Sequence, residues 1–287
     1  MTVTAVMVKE LREKTGAGFM DSKKALEQCA GDMEKAMEFL RQKGIASAEK
    51  KQDRIAAEGL VAAYIENGTG SIVEINCETD FVAKNDDFKT FVNNIAKHIA
   101  ETKPADLDAL NSSICPECKM TIADLVKDKT ATIGEKISIR RFAVLEGNLA
   151  AYVHNGKIGV LLSASKQDDS LLKDVALHIA SSAPEFISRK EIPQDIIDEE
   201  TRIEMGKEDL AKKPENIRAK IVEGRVNKLM AQKCLLEQPF VKNPDLTVEA
   251  LLSGKTEIKK FVRWTLGEGL EKRKDNFAEE VMNQMVK

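Results

Sequence analysis

No apolar run in this 287-residue chain approaches the ~20 residues that cross a bilayer as a helix, so no membrane span is expected. The start, MTVTAVMVKELREK, lacks the apolar core of a secretory signal, and a cytoplasmic location follows as an expectation. A strong charge of one sign is also missing: 44 basic groups face 47 acidic ones, which leaves no global attraction to phosphate and argues against direct nucleic-acid binding. The cysteines, Cys29, Cys77, Cys115, Cys118 and Cys234, are odd in number and scattered, unlike a secreted disulfide framework. Only Cys115-Pro-Glu-Cys118 has a suggestive spacing. A closed zinc site needs four ligands, no second pair exists and no histidine is near in sequence, so free thiols are expected and no metal site.

Catalytic constellations are missing too. Ser253-Gly-Lys-Thr256 ends like a phosphate-binding loop, but Glu249 stands where that loop needs its first glycine, so the string reads as the end of a helix. His98 and His178 lie beside apolar helical stripes with no adjacent nucleophile and read as packed residues. Without a triad or a carboxylate pair, neither an enzyme nor a cofactor is expected.

With 43% apolar residues the chain can bury a large core, divided into more than one unit. Its first stretch predicts three short helices, Val6 to Thr15, Asp21 to Cys29 and Asp32 to Lys43, with Asp21 and Asp32 as caps and the glycines at 16, 18, 31 and 44 as punctuation. Ala46 to Ala57 reads as a polar connector, with a boundary near Glu58. Two strands, Leu60 to Ile65 and Ser71 to Asn76, flank Asn67-Gly68, a strong hairpin signal. A helix follows, with Phe88, Phe91, Val92, Ile95 and Ile99 on the face that packs on the hairpin.

The same unit recurs. Leu149 to His154, Asn155-Gly156, Ile158 to Ala164 and a helix carrying Leu172, Val175, Ala176 and Ile179 repeat the strand, turn, strand and helix. Asn67 to Asn155 is a shift of 155 − 67 = 88, whereas His98 to His178 is 178 − 98 = 80, so the first copy is eight residues longer. The extra length falls between second strand and helix, at CETDFVAKNDDF, and added length on a repeated scaffold commonly carries function. There a large aromatic stands among carboxylates. One reading makes it a capping turn, with Asp86 or Asp87 as the cap and Phe81 tucked into the core; the other makes it a working surface. Further on, Ile196, Ile203 and Leu210 at heptad spacing, a break at Pro214 and a helical run from Ile217 to Leu235 predict a protruding helical hairpin. Leu270 to Val286 predicts a last amphipathic helix.

The string TDFVAKND, beginning at Thr79, closely resembles the hallmark of the elongation factor Ts family, nucleotide exchange factors for elongation factor Tu. VKELREKTGAGFMDSKKAL near the start, HNGKIGVLL at 154 to 162, IRAKIVEGRVNKLM at 217 to 230 and LGEGLEK at 266 to 272 are similar to the same family in the same order. The resemblance implies an α+β fold: a ubiquitin-associated-like helical domain over 1–54, a duplicated core of antiparallel strands and helices over 55–146 and over 147–192 with 236–263, a coiled-coil hairpin over 193–235 and a C-terminal helical module over 264–287. It further implies that Thr79, Asp80, Phe81 and Val82 act near the magnesium ion of elongation factor Tu, Phe81 wedging between helices and helping to dislodge the ion. His154 is implied as a second insertion point, and Val8, Leu11, Phe19 and Met20 as contacts from the N-terminal domain. The rival reading is a non-catalytic adaptor or RNA-associated binding protein. A homodimer and a heterotetramer with the partner both stay open. Two departures stand out: Ser112 to Met120, with its cysteine pair, matches no motif of the family, and Asn85 adds a residue that leaves the course of the loop after Lys84 open.

Overall fold

The computed structural model describes residues 3–210 and 214–271, and at 45–49 and Asn216 the backbone only. The chain is a mixed α+β protein that divides into two compact units. The first holds the described residues of Met1–Ala62, Val73–Phe142 and Thr265–Lys287, and the second Ala63–Ile72 and Ala143–Trp264.

The first unit opens with three helices. α1 (Ala5–Thr15) starts where the Thr4 hydroxyl accepts from the Met7 N–H and stops at Gly16, whose φ of 67° only glycine adopts without strain. α2 spans Phe19–Gln28 with Gly18 as its cap, so Asp21 lies in the first turn rather than at the cap, and it pairs there with Lys43 at 2.7 Å. α3 (Met33–Glu49) is capped by Asp32, as expected, but runs on past Gly44. Gly44 ends nothing: a Cβ there would come within 2.9 Å of the Ala131 side chain, so the glycine permits a close helix contact and the connector shortens to residues 50–57. Val8, Leu11, Ala25, Leu26 and Ala36 form the bundle's core.

β1 (Glu58–Glu66) and β2 (Thr69–Cys77) meet at Asn67 and Gly68, with φ of 49° and 73°, the paired positive angles that a tight hairpin needs. After β2 come α4 (Asp80–Lys84) and α5 (Asp86–Thr102), which buries Phe88, Phe91, Val92, Ile95 and Ile99 as its spacing predicts. α6 (Leu107–Ser112), a small hairpin of β3 (Ile114–Cys115) and β4 (Met120–Thr121), and α7 (Ile122–Ile133) follow. β5 (Ser138–Glu146) then joins the sheet in the order β1-β2-β5.

Among the described residues Glu74 is the most deeply buried charge of this unit, fully excluded from solvent. Its carboxylate accepts from Arg140 at 2.9 Å, Arg141 at 2.7 Å, the Asn76 amide at 3.3 Å and the Gly267 N–H at 2.9 Å. Burial pushes its pKa up, but the Gly267 N–H and the two guanidinium groups outweigh burial and hold it below the ordinary carboxylate value. Gly267 takes φ 68°, and a Cβ there would sit 2.5 Å from the Ala57 carbonyl, so no other residue fits the turn. The helix expected over Leu270 to Val286 lies, beyond Glu271, outside the described residues.

In the second unit, β6 (Asn148–His154) pairs antiparallel with β7 (Ile158–Ala164), Asn148 opposite Ala164 through His154 opposite Ile158. α8 (Asp169–Ser182) follows, and its Leu172, Val175, Ala176 and Ile179 share one core with Val160 and Leu162. α9 (Gln194–Met205) packs on α10 (Glu215–Lys233) through Ile192, Ile196, Leu210, Val222, Val226 and Met230. The heptad spacing over-reads this pair. Leu210 lies beyond the end of α9, which stops at Gly206, and is buried, while Ile203, inside the helix, faces solvent at 48% exposure. β8 (Pro239–Phe240), β9 (Asn243–Thr247), α11 (Val248–Leu252) and β10 (Ile258–Thr265) complete the unit. Ser253 caps the end of α11, as the reading of Ser253-Gly-Lys-Thr256 as a helix end expects. The sheet order is β10-β7-β6, so each copy of the repeat has a third strand beside the second strand of its hairpin, a feature the sequence reading did not find.

Candidate functional site

The longer first copy places an extra helix at the site. Eight residues, 78–85, join β2 to α5, against four, 165–168, between β7 and α8, so the link holds only four of the eight extra residues expected there, and α4 lies in it. β2 is buried along its whole length through Cys77, so the chain leaves the interior at Glu78 with backbone groups to satisfy. One carboxylate does it. Glu135 accepts from the Glu78 N–H at 3.1 Å, the Thr79 N–H at 3.0 Å and the Thr79 hydroxyl at 2.7 Å. The Thr79 oxygen also accepts from the Val82 N–H at 3.4 Å and so caps α4. The Cys77 thiol donates to the Thr79 carbonyl at 3.1 Å, and burial pushes that thiol up to about 12, which keeps it protonated and inert. Glu78 in turn pairs with Arg54 at 3.2 Å and accepts from the Lys136 N–H at 2.6 Å.

On this frame α4 turns its residues to different surroundings. Ala83 is buried and Val82 half-buried, while Phe81 stands at 80% exposure, the highest among the described large apolar side chains. The reading that tucked Phe81 into the core therefore fails. A phenylalanine left in water forgoes roughly 1.5–3 kcal/mol of burial, so its position asks for an occupant. Asp80 pairs with Lys84 at 2.6 Å, and the Lys84 ammonium lies 6.0 Å from the Phe81 ring centre, at the outer limit of a cation–π contact. Asn85 ends α4 and caps α5 through its side chain to the Asp87 N–H at 2.8 Å. Asn85, and not Asp86 or Asp87, is thus the cap, and because it serves both ends one helix follows the other directly.

The N-terminal candidates divide. Val8 and Leu11 are core residues of the bundle at 2% and 0% exposure, whereas Phe19 and Met20 stand out at 49% and 58%. A molecule reaching this domain meets the second pair. His154 is exposed at the end of β6, stacked 6.3 Å from Tyr152 and hydrogen-bonded to its hydroxyl at 3.2 Å. Sequence reasoning missed Glu135, Arg54 and Lys136. The only local signal was Gly134, whose φ of 88° ends α7 and turns the chain toward Glu135.

Compared with known families, the chain matches the model of elongation factor TS over residues 78–268, more than half its length. The chain belongs to the elongation factor Ts family. The match begins one residue before Thr79 and ends at Glu268, so it takes in the link and helix of the first copy and the whole of the second, while β1 and β2 precede it. Membership makes this a translation elongation factor and implies elongation factor Tu as its partner in general terms.

The two buried histidines are structural. His98 and His178 occupy matching places on α5 and α8; the first bonds to the Ser113 hydroxyl at 2.7 Å, the second to the Gln238 side chain at 2.9 Å and the Val241 N–H at 3.2 Å. Burial lowers both pKa values below the ordinary 6.5, with Glu101 opposing at His98 and Gln238 at His178. The unfolded chain therefore takes up protons below about pH 6.5 that the folded chain refuses, and stability falls as the pH is lowered through that window. Thermal melting should drop between about pH 7 and pH 5, and less steeply in His178→Gln; an unchanged slope would contradict a buried neutral imidazole. Among the described residues no helix is long and apolar enough to cross a membrane, and no three His, Cys, Asp or Glu side chains gather as a metal site.

Proposed function

We propose that this chain is a guanine nucleotide exchange factor that binds elongation factor Tu in the cytoplasm, displaces its magnesium ion and releases GDP. The observation that carries this reading is Phe81, held on a short capped helix with its ring in solvent. Thr79, Asp80, Phe81 and Val82 form the working edge. Phe81 inserts between helices of the partner, and Asp80 acts as the electrostatic competitor for the cation. In P-loop GTPases the magnesium ion bridges the phosphates and is held by a hydroxyl and an aspartate, so removing it weakens the grip on nucleotide. No covalent bond is made or broken, so the chain is not an enzyme. Exchange is a coupling: the factor and the nucleotide each weaken the other's binding by the same factor. His154, Phe19 and Met20 supply further contacts, and α9 with α10 serves as a protruding coiled-coil module. An adaptor that merely binds would leave nucleotide release unchanged. The test is release of labelled GDP from elongation factor Tu, which this chain should accelerate strongly at millimolar magnesium and less once a chelator has already removed the ion. Binding without acceleration would favour the adaptor.

A further inference from the structure

The stretch Ser112 to Met120 holds a pair of cysteines that the proposed function does not use. Cys115 and Cys118 lie at the tip of the β3–β4 hairpin, where Ile114 pairs with Thr121 and Cys115 with Met120. Lys119 takes a φ of 55° and donates its N–H to the Cys115 carbonyl at 2.9 Å, which folds Cys-Pro-Glu-Cys into a tight knuckle. The base is fixed: the Ile122 N–H donates to the Ser113 carbonyl at 2.9 Å, and Leu110 and Ile122 are fully buried on either side. The knuckle is therefore presented by a rigid support, and its two sulfurs stand 3.5 Å apart as free thiols.

That spacing suits a chelate. Zinc bound tetrahedrally at Zn–S distances near 2.3 Å sets its sulfurs about 3.8 Å apart, so each side chain needs to move by only a few tenths of an ångström. A closed thiolate site takes four ligands and this hairpin supplies two. Among the described residues no His, Asp or Glu joins them to make a set of three. Cys118 and the turn residues Pro116, Glu117 and Lys119 are exposed, and Ile114 beside them is exposed at 63%, so a second molecule can reach the pair.

We propose that one zinc ion is held between two copies of this chain, each supplying Cys115 and Cys118. Two identical pairs close a tetrahedron about a two-fold axis, the commonest symmetry of soluble homo-oligomers. The four thiols lose one proton each to solvent, and the resulting site carries a net charge of −2; of the charges beside Cys118, Lys129 offsets it and Glu117 opposes it. Ile114 of each copy adds apolar surface at the same tip. The contact is small, so the metal–sulfur bonds rather than buried area hold the pair together.

The test uses the full chain, stripped of metal by a chelator and kept under a phosphine reductant, titrated with zinc while molar mass is followed by sedimentation. One zinc per two chains and a doubling of mass, both reversed by added chelator, are expected. Cobalt in place of zinc should give the visible bands of a tetrahedral tetrathiolate. Cys118→Ser, at an exposed position, should keep the circular dichroism of the parent and lose both metal uptake and doubling. Zinc bound at one per chain without a change in mass, no uptake at all, a dimer that forms only when reductant is omitted, or doubling that persists in Cys118→Ser would each overturn the proposal.

Discussion

Phe81→Ala is expected to lower stimulated GDP release from elongation factor Tu by about ten- to one-hundred-fold while leaving thermal stability unchanged. The two halves of this expectation have the same cause. At 80% exposure the ring contributes almost nothing to the fold, so its loss leaves no cavity and no unpaired group. Inside a partner the same ring would bury fully, worth roughly 1.5–3 kcal/mol, and each 1.36 kcal/mol is tenfold in rate. A 10⁴-fold population shift needs about 5.5 kcal/mol of differential binding, so Phe81 alone cannot supply a shift of that size and some stimulation should survive. Stopped-flow release of a fluorescent GDP at sub-saturating factor reads the effect. A variant that exchanges at the parental rate would sink the proposed role, and one that melts several degrees lower would show that Phe81 serves the fold.

Much of this frame is visible in the chain itself, because its signals are local. Asn-Gly turns mark both hairpins, and the stripes on α5 and α8 mark the helices that follow them. What escapes is set by residues far apart. β5 carries Arg140 and Arg141 in its middle and β10 carries Lys259 and Lys260 near its start, so neither shows a strand's apolar alternation. The arginines belong in a strand only because Glu74 receives both of them, a pairing 66 and 67 residues away. Gly44 looks like a terminator until Ala131 appears beside it. The candidate site divides in the same way. The extra length of the first copy points to Thr79 through Val82, and the family motif names them. Their support by Glu135, 56 residues from Thr79, has no signature near either residue. Nor does the sequence decide whether Phe81 faces inward, since a five-residue helix has no period long enough to reveal its buried side.

Glu74→Ala should destabilise the first unit by about 3 kcal/mol or more. Removing one partner of a buried ion pair typically costs about 3–5 kcal/mol, because the charge left behind loses both water and counter-ion. Arg140 and Arg141 remain 24% and 27% exposed, so water recovers part of that loss and the lower end of the range is the better expectation. The Gly267 N–H loses its acceptor as well, and Ala57 closes the space around Gly267 from the other side. The loss should therefore appear first where residues 265–270 meet the sheet, as faster proteolysis after the turn, before the unit unfolds. Acid should act in the same direction. The folded pKa of Glu74 lies below its ordinary 4.5, so its contribution is complete above that value and disappears as the pH falls through the lowered folded value. Urea unfolding at pH 7 should show the full difference between parent and Glu74→Ala, and unfolding near pH 3 a smaller one. A double variant with Arg141→Ala should cost less than the two single changes combined, since the second removes a charge the first has stranded. Strict additivity, or a loss under about 1 kcal/mol at pH 7, would mean that the carboxylate fills space in the sheet and does not tie the C-terminal turn to it.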